Sequence, residues 1–138
     1  MKPEGLTMRW SRYAPRETAD RLAQAIVEHG MVVHSRVDQA GVAARAGLSL
    51  RPKELLLFGD AGLELLMMQS ANTVAIDLPF KALVWQDGDA NTCVAYYDPL
   101  WLLARHTTHK DIEEQVRSIA LKVTAAVQTA TKGSAAGT

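Results

Sequence analysis

The residue pattern predicts an α+β fold, an antiparallel sheet with helices packed on one of its faces. Three observations predict it. Apolar residues recur at helical spacing in two separate stretches, Ala19 to Val27 and Ile112 to Val127. Lys81 to Gln86 and Thr92 to Tyr97 read as strands around the turn formers Asp87-Gly88-Asp89-Ala90-Asn91, which makes a hairpin. Helical and strand patterns are mixed along the chain without the strict alternation of a parallel sheet.

The elements follow in order. Leu6 to Trp10 alternates weakly and reads as a first strand. Pro15 suits a first helical turn, where its missing N–H would have no partner anyway. Ala19, Leu22, Ala23, Ile26 and Val27 then form an apolar face, and Gly30 ends the helix. From Met31 the period becomes two, so that Met31, Val33, Ser35 and Val37 share one face of a strand and Val32, His34, Arg36 and Asp38 the other. Gln39 to Ala46 is a short helical turn closed by Gly47. Leu55 to Phe58 is a buried strand and Ala61 to Gln69 a helix, while Thr73 to Ile76 fits either a helical extension or a strand. Asp98-Pro99 is a helix cap followed by a first-turn proline. The long C-terminal helix carries Ile112, Val116, Ile119, Ala120, Val123 and Val127 on one stripe, with Thr108 and Asp111 at capping-box spacing before it. Residues 1–130 make one domain, and the small, polar residues 131–138 are expected as a flexible tail.

Composition narrows the function classes. Fifteen Lys and Arg against fifteen Asp and Glu give zero net charge in 138 residues, which counts against binding driven by phosphate neutralisation. A single cysteine leaves no disulfide framework and no cysteine-rich zinc site. No apolar run approaches the ~18 residues of a membrane span, and the start lacks a signal-peptide apolar core. The expectation is a cytoplasmic protein without a nucleic-acid or membrane partner.

Phe58-Gly59, then the run from Ile76-Asp77-Leu78-Pro79-Phe80-Lys81 to Trp85-Gln86-Asp87, and then Tyr96-Tyr97-Asp98-Pro99 with Arg105-His106 resemble the bacterial domain-of-unknown-function 302 family. The resemblance spans roughly Pro15 to His106. It implies a TATA-binding-protein-like arrangement, a curved antiparallel sheet with helices packed on it, and a homodimer. It implies no established reaction, and a fold label does not import DNA binding. Where the family continues Phe-Gly with Asn-Pro, this chain has Asp60-Ala61.

Asp77 and Lys81 flank Leu-Pro-Phe and can bracket a polar ligand, although an Asp before an irregular segment also serves loose backbone N–H groups. The expected ligand-binding set is Gly59, Asp60, Asp77, Lys81, Tyr96, Asp98, Arg105 and His106, where the Asp77–Lys81 segment meets Phe58-Gly59-Asp60 and the Asp98 helix. Asp87, Asp89 and Asn91 are spaced like the opening of a calcium loop, but without its glycine or final bidentate Glu a solvated turn is the better reading. His106 and His109 are two ligands of the four a tetrahedral metal needs, and no metal or other cofactor is expected. Cys93 sits mid-strand and reads as a small buried apolar residue. Trp85, Tyr96, Tyr97 and Trp101 gather near the hairpin, as core, interface or groove. No nucleophile elbow or phosphate loop occurs. With the homodimer that the resemblance implies, the expectation is a non-catalytic binding or accessory domain acting as a homodimer. The alternatives are an enzyme using Asp77 or His106 as its base, and a metal- or haem-handling protein.

Overall fold

The computed structural model describes residues 2–133 and 135–136. Their order is β1 (Leu6–Ser11), α1 (Pro15–Glu28), β2 (Val32–Asp38), α2 (Gln39–Arg45), β3 (Lys53–Gly59), α3 (Ala61–Ser70), a 3-10 helix (Asn72–Asp77), β4 (Phe80–Gln86), β5 (Thr92–Tyr97), α4 (Pro99–Ala104), α5 (Glu113–Thr131) and β6 (Ala135–Ala136). The strands form one sheet in the order β2-β3-β4-β5-β1-β6, and every neighbouring pair is antiparallel. This is the α+β architecture the residue pattern predicts, five full strands with a two-residue strand on one edge.

One face of the sheet is covered. Leu56 and Phe58 of β3, Ala82 and Val84 of β4, and Val94 and Tyr96 of β5 point to it and are buried. Against them lie Leu22 and Ile26 of α1 and Val116, Val123 and Val127 of α5, with Leu63 and Met67 of α3 and Leu102 and Leu103 of α4 completing the same core. Each fully buried large apolar side chain here stabilises the fold by ~1.5–3 kcal/mol relative to exposure.

The opposite face is apolar too, yet the four helices that feed the core all lie on the first side. It carries Leu55 and Leu57, Leu83 and Trp85, Met8 and Trp10, and Tyr97, all partly or well exposed, around the buried Cys93 and Ala95. Lys53 and Lys81 are the charged residues of that face on β3 and β4.

Two local expectations need correction. A bulge between Val33 and Ser35 shifts the register of β2, so Val33, opposite Phe58, packs on the core while Ser35 and Val37 share the other face with Leu57 and Leu55. The expected capping box at Thr108 and Asp111 is absent: Ile112 precedes α5 without a side-chain cap, Asp111 accepts from Ser70, and Thr107 Oγ1 accepts from the His109 N–H. In the C-terminal stretch, Thr131 ends α5 fully buried, Ala135–Ala136 pair with β1, and the Gly133 carbonyl accepts from Arg9 Nη2 at 2.7 Å. Residues 134, 137 and 138 of that stretch lie outside the described residues.

Candidate functional site

The site is built where the 3-10 helix, the start of β4, the end of β5 and α4 meet. Asp98 opens α4 by accepting from the Leu100 N–H at 2.9 Å, and Pro99 takes the first helical position. Leu102 and Leu103 turn into the core, which leaves Trp101 and Arg105 on the other side of this short helix. Trp101 stacks on Tyr97 with ring centroids 5.1 Å apart and planes 13° from parallel. The Arg105 guanidinium sits 5.0 Å from the Trp101 ring centre.

Asp77, the last residue of the 3-10 helix, is the hub. Its Oδ2 lies 2.5 Å from His106 Nε2, and Arg105 Nη1 is 3.4 Å from each of its oxygens. The other imidazole nitrogen, Nδ1, is 2.9 Å from Thr73 Oγ1. Thr73, His106 and Asp77 thus form one hydroxyl–imidazole–carboxylate chain. Beside it opens a crevice of about 280 Å³ lined by Ile76, Asp77, Lys81, Tyr97 and Leu102. Lys81 shares the crevice wall with Tyr97, and its ammonium donates to the Pro79 carbonyl at 3.2 Å. Among the described residues it forms no ion pair, so the crevice carries an available cation beside an aromatic and aliphatic wall.

Of the expected site residues, Asp77, Lys81, Arg105 and His106 come together here. The others do not. Tyr96 points through the sheet to α5, where its hydroxyl is 3.1 Å from Thr124 Oγ1. Asp98 is occupied as a helix cap. Asp60 likewise caps α3, accepting from the Leu63 N–H at 3.0 Å. A β carbon on Gly59 would lie 1.8 Å from Glu64 Oε1, so this glycine makes room for a side chain of α3. Burial pushes the Glu64 carboxyl above its ordinary value, against the lowering effect of His34, and its Oε1 is buried without a hydrogen-bond partner.

Thr73, Ile76, Leu102, Tyr97 and Trp101 complete the site. The first three carried no signal; the two aromatics belonged to the cluster noted near the hairpin. Their link to the site was readable in part from the four-residue step between Trp101 and Arg105 on one helix.

The remaining candidates resolve into structural roles. Asp87 Oδ1 accepts from the backbone N–H groups of Asn91 and Asp89, and the bond from Asn91 above all holds its carboxyl below the usual range. Cys93 is buried, which pushes its thiol up to about 11. His109 lines a separate pocket with Leu100, Leu103 and Lys110, away from the two nitrogens His106 has already committed. Among the described residues no three His, Cys, Asp or Glu side chains gather as a metal site. A larger open pocket, about 360 Å³, lies by Asp38, Lys53 and Glu54, but Asp38 caps α2 and Glu54 pairs with Arg36.

Sheet, helical layer and corner crevice define the class: an antiparallel α+β domain with a polar and aromatic crevice at one end of its sheet. The chain belongs to the family described as domain of unknown function DUF302, which matches residues 7–130. A crystal structure of an uncharacterized conserved DUF302 protein from Bacillus stearothermophilus has the same fold, with a TM-score of 0.81 at 17% identity, covering 93% of this chain and 99% of that one. Two Brucella proteins named fluoride-specific ion channel FluC 1 are 40% identical over 103 residues, or 75% of this chain. That stretch is 41% of the Brucella suis protein and 38% of the Brucella abortus protein, so the chain spans about two-fifths of these relatives' length. Among the described residues no helix is long and apolar enough to cross a membrane.

Proposed function

We propose that this chain is a non-catalytic, homodimeric binding or accessory domain of the cytoplasm, and that its crevice takes a small anion with an apolar or aromatic body. The observation that carries this reading is the pairing within the crevice. Asp77 is bonded by His106 and Arg105, so its charge is already answered, while Lys81, without an ion pair among the described residues, stands beside Tyr97, Ile76 and Leu102. An ammonium over an apolar wall suits a carboxylate or sulfonate on an aryl or alkyl body. The partial match to longer channel proteins agrees with an accessory role, since the matching stretch supplies no membrane-crossing helix among the described residues. A nucleic-acid partner is not part of the proposal: Lys53 and Lys81 are too few cations on the open sheet face to neutralise a phosphate backbone.

Titration with 2-naphthoate, followed by heteronuclear NMR, tests the reading. Shifts should concentrate at Ile76, Lys81, Tyr97 and Leu102, and Lys81→Gln should weaken binding about tenfold, the ~1.4 kcal/mol scale of one charge-assisted contact. No shift at millimolar ligand, or equal affinity of the variant, overturns it.

One observation favours the second reading, an acid–base enzyme. The Thr73–His106–Asp77 chain places a hydroxyl and a carboxylate on the two nitrogens of one imidazole, the bonding that orients a general base. Turnover of a panel of small aryl esters that His106→Ala abolishes, with naphthoate binding kept, would establish the enzyme.

A further inference from the structure

We infer that the crevice selects a flat aryl monoanion over an alkyl one, laying the ring on Tyr97 with its acid group on Lys81. The inference rests on the anion-binding reading of the crevice proposed above and names the class of ligand within it.

The aromatic wall sets the shape of the ligand. Tyr97 ends β5 and is 37% exposed. One face of its ring is taken by Trp101, with centroids 5.1 Å apart and planes 13° from parallel. Trp101 is itself held on both flanks. Gly5 lies against its ring too closely to leave room for a β carbon, and the Arg105 guanidinium sits 5.0 Å from its ring centre. The plane of Tyr97 is therefore fixed before any ligand arrives. Trp101 is not part of the crevice wall, which Ile76, Asp77, Lys81, Tyr97 and Leu102 make. The surface that Tyr97 turns to the crevice is thus the one that Trp101 leaves uncovered. A planar ring laid there extends the stack from two rings to three, and aromatic pairs attract at centroid separations of ~4.5–7 Å.

Ile76 supplies a second apolar surface. It is 81% exposed, the most exposed large apolar side chain among the described residues, and it stands at this crevice. A ring bound on Tyr97 would take Ile76 out of water as well. The crevice, about 280 Å³, lies just below the ~300–1,000 Å³ of pockets that take drug-sized molecules, so a body of one or two rings fills it.

The polar groups set the charge. An ammonium has three N–H donors, and Lys81 gives one to the Pro79 carbonyl at 3.2 Å. Two remain, which match two oxygens of a single carboxylate or sulfonate. Arg105, the other cation nearby, lies 3.4 Å from Asp77 and packs on Trp101. Asp77 lines the same wall, so a second acid group on the ligand would meet a carboxylate rather than a donor. One acid group on a flat body is the ligand these neighbours fit.

The test is calorimetric titration of the full chain with 2-naphthoate and with decahydro-2-naphthoate, its saturated two-ring counterpart of equal charge. Tyr97→Phe, Tyr97→Leu and Lys81→Gln are titrated alongside. The wild type should hold the aryl acid about fivefold tighter, the scale of one aromatic pair beyond its buried area. Tyr97→Phe should keep that ratio, and Tyr97→Leu should bring it to about one. Lys81→Gln should weaken both acids alike and leave the ratio unchanged. In proton NMR of the wild type, the naphthoate signals should move upfield on binding, shielded by the ring of Tyr97. Equal affinity for the two acids overturns the aryl selection and leaves the anion reading standing. A ratio that persists in folded Tyr97→Leu, or bound naphthoate without the upfield movement, overturns the stack on Tyr97. Binding of neither acid overturns both readings.

Discussion

His106 Nε2 lies 2.5 Å from Asp77 Oδ2, joining the turn after α4 to the end of the 3-10 helix across 29 residues of chain. Both side chains are mostly buried, at 12% and 21% exposure. A charge-assisted bond in such a place contributes ~1.5–3 kcal/mol. His106→Ala should lower unfolding stability by about that amount in urea titration, whereas Arg105→Ala, from a pair 48% exposed on the arginine side, should cost less than ~1 kcal/mol. Equal losses for the two variants would mean that the imidazole bond is not the dominant tie.

Gly5 lies flat against Trp101. It has φ +79°, and a β carbon there would fall 2.1 Å from Trp101 Cδ2. Gly5→Ala combines a left-handed backbone with a collision against a ring that is itself stacked on Tyr97. A loss of ~2–4 kcal/mol is expected, with a changed tryptophan emission as the ring moves. A variant as stable as the wild type would show that the ring gives way freely.

The raised Glu64 carboxyl sets a pH dependence. Because burial favours its neutral form, the folded chain holds this proton more tightly than the unfolded chain does. The ionised group therefore costs stability at neutral pH, and the cost fades as pH falls through its raised value and below the ordinary carboxylate range. Glu64→Gln should melt higher than the wild type at pH 7, and the gap should close near ~pH 4. A gap independent of pH would assign the effect to packing instead.

With its thiol pushed up to about 11, Cys93 is thiolate in only about one molecule in ten thousand at pH 7. Burial adds a steric barrier. Ellman's reagent should leave the native protein unmodified over minutes and titrate one thiol per chain in guanidinium. Rapid reaction in the native state would require the face around Cys93 to open.

Most of the fold is legible in local pattern because its elements obey local rules: Pro15 and Gly30 bracket α1, Asp98-Pro99 opens α4, and the Ile112–Val127 stripe buries one side of α5. The faces of β5 were not legible. With apolar residues on both sides of the strand, its alternation says nothing about which side meets the helices, and Tyr96 was placed in the site that its neighbour Tyr97 occupies. The β2 bulge escapes a period-two reading for a similar reason, since the extra residue changes faces without changing composition. The capping box at Thr108 failed because Ser70, distant in sequence, holds Asp111. Within the site, Asp77, Lys81, Arg105 and His106 were legible from their chemistry, whereas Thr73 is visible only once the 3-10 helix sets it against His106.

The pairing of Met8 with Ala136 and of Arg9 with Ala135 places the two ends of the described chain on adjacent strands. The hydrogen bond from Arg9 to the Gly133 carbonyl fastens them there. Topologically the domain is nearly a ring, cut beside its last strand. A few glycines and serines would close that cut, and the exposed turn at Gly88, with open space about its α carbon, offers another place to start the chain. A circular permutant beginning there would place β5, α4 and α5 ahead of β1, keeping every strand neighbour while exchanging which residues are terminal.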